Sequence, residues 1–167
     1  MKGPIGAVPA VFRRRRGDPL STAPAPVLLV PLQGSANTEA RERAVAAARE
    51  AGGPVAVVAL LKIYGSSFGF PNPGLLPTAQ EKDAARQLVE RTIGALERSG
   101  VEADGQITAT RHPAKVIAAA AHRRQAQWVI IDQTGMTSSG LRRLIEGDLA
   151  ASVRRRLANA ARVEVVS

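Results

Sequence analysis

The chain has 167 residues, 45% of them hydrophobic, and carries a net charge of +9 without a single cysteine. That length suits one domain with its own core, and the missing thiols exclude disulfides and cysteine nucleophiles. His112 and His122 are the two histidines, too few for a structural zinc site without carboxylates, and no run of 18 apolar residues marks a membrane span.

Residues 1–25 read as a flexible basic tail. They hold Pro4, Pro9, Pro19, Pro24 and the run 13-RRRR-16, a composition that buries little and repels itself. The apolar piece 3-GPIGAVPAVF-12 is short and precedes the charges, the wrong order for a secretory signal. Residues 26–167 form the domain. Within it, 27-VLLVPL-32 is apolar without alternation, the pattern of a strand buried on both faces. Pro31 has no N–H to donate and fits only near the strand's end. Ser35 is placed as a helix cap. Ala36, Ala40, Ala44, Ala47, Ala48 and Ala51 then form an apolar stripe at helical spacing, which Gly52 and Gly53 stop.

A second strand covers 55–63. The connection 64-YGSSFGFPNPGLLPT-78 is long and holds the tyrosine and two of the three phenylalanines; its apolar content predicts a lid that packs down. Thr78 and Glu81 form a capping box. It opens a helix with Ala85, Leu88, Val89, Ile93 and Leu96 on one face, closed by Gly100. A weaker strand spans 101–109. Pro113 suits the first turn of a short helix, with Val116, Ile117, Ala120 and Ala121 inward. His112 is read as its cap, and His122, Arg123 and Arg124 as an exposed face. A buried strand follows at 128–132, and Trp128 at its start is read as packing. A helix over 141–158 presents Leu141, Leu144, Ile145, Leu149, Val153 and Leu157. The last strand is 162–166.

Strands alternating with helices predict an α/β fold: a three-layer αβα sandwich on a five-stranded parallel sheet. Ligands of such sheets bind beyond the carboxyl ends of the strands, where the strand order reverses. The lips of that crevice are Gln33, Gly34 and Ser35 after the first strand, and Gln133 to Gly140 after the fourth. Asp132 ends the fourth strand there; it can bind a cation or a ligand hydroxyl, or cap the loop that follows. The loop within 130-IIDQTGMTSSGLRRLIEGD-148 has the layout of a phosphate cradle but is poor in glycine.

The pieces 30-VPLQGS-35 and 139-SGLRRLIEGD-148, with the element order, resemble the universal stress protein family over about residues 27–167. The resemblance implies the sheet order 3-2-1-4-5, an adenine nucleotide alpha hydrolase-like fold, and dimers made through the last strand. Members that bind ATP use an Asp in V-P-x-D-G-S and a loop of the form G-x2-G-x9-G-[S/T]. Here Gln33 stands at the Asp position. Counting back from Gly147, the two earlier glycine positions fall on Thr137 and Thr134; a shift of one residue would recruit Gly135 instead. Asp148 stands where the family carries a hydroxyl. Threonine resists the positive φ and close approach that glycine permits, and a carboxylate repels phosphate, the more so in a dry site. Gly34, Gly140 and Gly147 remain. Thr134, Thr137, Ser138 and Ser139 can offer hydroxyls, and Arg142 and Arg143 charge. Gly147 also reads as a point of close helix–sheet packing.

Neither histidine has neighbours in sequence that would tune a general base, and no Ser–His–Asp spacing, P-loop or metal cluster stands out. The expectation is therefore a non-catalytic, cytoplasmic, dimeric stress-response module, with weak or absent ATP binding and a possible place for a protein partner. Its cofactor, if any, is ATP with magnesium. The alternative is a nucleotide-binding member whose loop uses Thr and Ser hydroxyls. The third reading is a basic protein touching nucleic acid through residues 13–16 and 153-VRRRLANAAR-162, for which the net charge is permissive. The spread of arginines over helix faces argues against it.

Overall fold

The computed structural model describes residues 23–32, 36–62, 76–134 and 149–167. Its elements are β1 (Val27–Pro31), α1 (Thr38–Ala51), β2 (Val55–Lys62), α2 (Ala79–Arg98), β3 (Ala103–Thr110), α3 (Pro113–Arg124), β4 (Trp128–Asp132), helical residues 149–157 (α4) and β5 (Arg162–Val166). The strands form one parallel sheet in the order β3-β2-β1-β4-β5. The α/β class is the one the alternation of strands and helices predicts, and the strand order is the one the resemblance implies.

Both sheet faces are covered, which is why the strands read as continuous apolar runs. Val27, Leu29, Val55, Val57 and Ile130 point toward α1 and α2. Leu28, Val30, Ala56, Val58, Val129 and Ile131 point toward α3 and α4. The strand period of two thus feeds two cores from one set of strands. Burying each Val or Leu side chain contributes about 1.5–3 kcal/mol. The helices meet the sheet through small residues. α1 buries Ala40, Ala44, Ala47 and Ala48 and ends in Gly52, left-handed at φ 68°. α2 buries all five residues of its predicted face, together with Thr92, and its capping box of Thr78 and Glu81 is intact.

Some local expectations need correction. The cap of α1 is Asn37, whose side chain accepts from the Glu39 N–H, not Ser35, which lies outside the described residues. His112 stands at the cap position of α3, but its side chain makes no capping bond. Its own N–H donates to Thr110 Oγ1 at 2.9 Å. Arg124 is not on an exposed face: it is 2% accessible and paired with buried Asp104 of β3. The reason is topological, since α3 leads back across the sheet and lays its last turn beside β3. Of the helix predicted over 141–158, the described part ends at 157, where Ala158 and Asn159 take positive φ. Of the tail read over 1–25, residues 1–22 lie outside the described residues, as do residues 64–75 of the connection read over 64–78 and the loop at 135–148. Ala25 is fully buried, and its N–H donates to the Arg124 carbonyl at 2.8 Å.

Candidate functional site

The strand order reverses between β1 and β4. Chain connections leave these neighbours in opposite directions, so a crevice opens beyond their carboxyl ends. The two strands end level: Pro31 lies opposite Asp132. Pro31 is the last residue of its strand, and the ladder continues past it through the Leu32 N–H to the Asp132 carbonyl at 3.0 Å. On the other flank, the Gln133 N–H donates to the Val166 carbonyl at 2.8 Å.

Asp132 is 1% accessible. Its Oδ2 accepts the Asn37 N–H at 2.7 Å, and its Oδ1 accepts the Thr134 N–H at 2.9 Å. The carboxylate therefore caps the loop after its own strand and also holds the start of α1, a favourable place for negative charge. Asn37 then reaches back: its Nδ2 donates to Thr134 Oγ1 at 3.0 Å. These three residues join the exit of β1 to the exit of β4. Because both carboxylate oxygens already accept backbone N–H groups, Asp132 works here as an internal clamp.

Of the residues assigned to the crevice from sequence, the structure describes Asp132, Gln133 and Thr134, and it joins Asp132 to Thr134 by a hydrogen bond. Gln33, Gly34, Ser35, Gly135, Thr137, Gly140, Gly147 and Asp148 lie outside the described residues. One further residue shapes the site. Asn37 supplies the link across the lips; an Asn just ahead of Thr38 and Glu39 is itself a capping signal. Gln133 is 4% accessible, and its Nε2 has no hydrogen-bond partner among the described residues. A buried amide donor left unmade costs about 1–3 kcal/mol. The signal for Gln133 was a polar residue directly after an apolar strand, at the switch point. Among the described residues no group of three or more His, Asp or Glu converges as a metal site would require, and no described helix is long and apolar enough to cross a membrane.

The universal stress protein family model matches residues 22–166. Solved structures with the same fold include a universal stress protein from Archaeoglobus fulgidus in complex with dAMP. It is 18% identical, with a TM-score of 0.57 over 86% of this chain and 98% of that one. A universal stress protein family member from Burkholderia pseudomallei is 17% identical, with a TM-score of 0.56 over 89% and 98%. A family protein from Arabidopsis thaliana with AMP bound is 14% identical, with a TM-score of 0.51 over 84% and 90%. No curated protein sequence matches the chain.

Proposed function

The chain belongs to the universal stress protein family, and on that premise we propose that it is a non-catalytic stress-response module whose crevice binds ATP weakly or not at all. The observation that carries this reading is the clamp at the switch point. Asp132 spends both oxygens on the Asn37 and Thr134 N–H groups, and the Asn37 amide is drawn onto the Thr134 hydroxyl. Those N–H groups are the donors a phosphate would seek there. Counted back from Gly147, Thr134 also stands where ATP-binding members of the family carry glycine; a shift of one residue would put Gly135 there instead. The neutral Gln33 and the carboxylate of Asp148 weaken the chemistry at the two ends of the motif.

A second reading, a nucleotide-binding member using Thr134, Thr137, Ser138 and Ser139 hydroxyls, is favoured by Gln133. Its buried amide, without a partner among the described residues, sits at the crevice and could donate to a base or ribose. The dAMP and AMP held by two structural relatives agree with it. Calorimetric titration with ATP and magnesium at two salt concentrations separates the readings. Absence of heat and of thermal stabilisation supports the first. Micromolar dissociation little changed by salt overturns it in favour of the second.

The proposal includes a homodimer through residues 162–166. β5 is a sheet edge, and Val165 is 37% accessible on it. An unpaired edge invites pairing with a second copy across a two-fold axis. Light scattering should report a dimer that Val165→Lys converts to folded monomer; a monomeric native chain ends the idea.

A further inference from the structure

On the outer side of α1 and α2, away from the sheet, lies an open groove of about 520 Å³. Thr38, Arg41, Glu42, Val45, Ala46 and Arg49 line it from α1, one stripe at helical spacing. Ala95, Arg98 and Ser99 line it from the end of α2. Its floor is small and apolar, and its rim carries three guanidinium groups. From Thr38 to Arg49 the stripe runs about 16 Å at 1.5 Å per residue.

None of these three arginines pairs with a carboxylate among the described residues. Arg41 donates to Thr38 Oγ1 at 3.0 Å and Arg49 to the Ser99 carbonyl at 3.1 Å, both neutral acceptors. Arg43, one residue from Glu42, contrasts with them: it meets Glu39 and Glu164. Arg49 and Arg98 stand in last turns, where the helix dipole welcomes a cation. Arg41 does not. It lies near the start of α1, against the dipole, half-buried and turned into the groove. The charge there is unexplained by the helix and fits an anionic occupant.

We propose that this groove docks an acidic amphipathic helix of a partner protein. Its small apolar side chains would rest on Val45, Ala46 and Ala95, and its carboxylates would meet Arg41, Arg49 and Arg98 in fork geometry. Glu42 opposes a compact polyanion such as a triphosphate and offers a place for one basic residue of the helix. Among the described residues no aromatic side chain lines the groove, which thus shows no stacking platform of a single-strand nucleic acid site.

The test uses the full chain, labelled with nitrogen-15, and a synthetic 14-residue helical peptide with an alanine–leucine stripe flanked by glutamates. Amide shifts confined to α1 and the end of α2, with dissociation that weakens as salt rises, are expected. Arg41→Glu and Arg98→Glu should each weaken binding at least tenfold, while Arg91→Glu, of equal charge change on α2 outside the groove, should leave it within twofold. A scrambled peptide of the same composition that binds as well, an equal loss in Arg91→Glu, or shifts spread over the surface would overturn the proposal. Full displacement of the peptide by inorganic triphosphate at equal concentration would reassign the groove to small polyanions, and displacement by an oligonucleotide to nucleic acid.

Discussion

The carboxylate of Asp132, at the end of β4, accepts the backbone N–H of Asn37, ninety-five residues earlier, at 2.7 Å. The bond joins the two strands that flank the switch point beyond their last ladder bonds. Its partner oxygen takes the Thr134 N–H. Asp132→Ala leaves both donors without an acceptor in a nearly inaccessible place. An unmade buried hydrogen bond costs about 1–3 kcal/mol, so the variant should lose about 2–4 kcal/mol in urea unfolding, allowing for partial rehydration. Asp132→Asn should fall between, because its amide keeps one acceptor and sets a donor against the other N–H. A loss under about 0.5 kcal/mol in Asp132→Ala would show that the clamp carries no strain-bearing role.

The pair of Asp104 and Arg124 joins β3 to the last turn of α3, with side chains 3% and 2% accessible. Two charges taken out of water are costly, and their attraction roughly offsets that cost only while both are present. Asp104→Ala or Arg124→Ala should therefore destabilise by about 3–5 kcal/mol. The double variant Asp104→Leu with Arg124→Met should recover most of that loss. A double-mutant cycle on chemical unfolding checks it; simple additivity of the two losses would sink the argument.

The fold was legible because its signals are periodic. Ala85, Leu88, Val89, Ile93 and Leu96 recur at helical spacing and share one buried face. β1 and β4 read as strands because each is apolar on both faces. What escaped depends on partners distant in the chain. Arg124 ends a helix beside Arg123 in a run that looks solvated, and its partner Asp104 sits twenty residues away in a weakly patterned strand. Ser35 and Asn37 rank alike as caps, so only the first turn of α1 decides between them. Asp132 and Thr134 were readable as lip residues from topology. That Asn37 crosses to Thr134 was not, because no local pattern encodes it.

Gly105 shows the same limit and yields a test. It lies in β3 beneath α2, where a Cβ would overlap a Val89 methyl and stand 3.1 Å from Ile93 Cδ1. The absent side chain is what lets α2 close on the edge of the sheet. Gly105→Ala should cost about 1–3 kcal/mol, as overpacking does, and Gly105→Val more. Combining Gly105→Ala with Val89→Ala should restore part of the loss by vacating the contested volume. Additive losses in the pair would mean the cost lies in the backbone instead.

Glu81 closes the capping box of α2: its carboxylate accepts the Thr78 N–H at 2.7 Å and the Thr78 hydroxyl at 3.0 Å. These bonds, the backbone one first, hold its pKa below the ordinary value of 4.5. A carboxyl with a depressed folded pKa favours the fold fully above its unfolded value, and that contribution fades as pH falls through the folded one. The native chain should thus lose thermal stability below about pH 4.5 more steeply than Glu81→Gln, whose side chain does not titrate. Between pH 6 and 8 the difference between the two should be constant. Parallel curves down to pH 3 would remove Glu81 from the account of acid stability.

If weak nucleotide binding comes from the departures at the motif, restoring the family's residues should reverse it. Thr134→Gly removes the hydroxyl that draws Asn37 across the lips and frees the backbone for positive φ. Thr137→Gly gives the next motif position glycine's backbone freedom, Gln33→Asp returns the acidic group, and Asp148→Ser replaces a repelling carboxylate by a donor. The four together should raise affinity for ATP with magnesium at least tenfold, about 1.4 kcal/mol. Asp148→Ser should account for the largest single share, because charge repulsion grows as the site dries. The gain should change little with salt, because charges in a dry site are weakly screened. Calorimetry on the single and combined variants measures each share. A combined variant that binds no better than the native chain would place the obstacle outside the motif, in the clamp of Asp132 and Asn37 that all four substitutions leave standing.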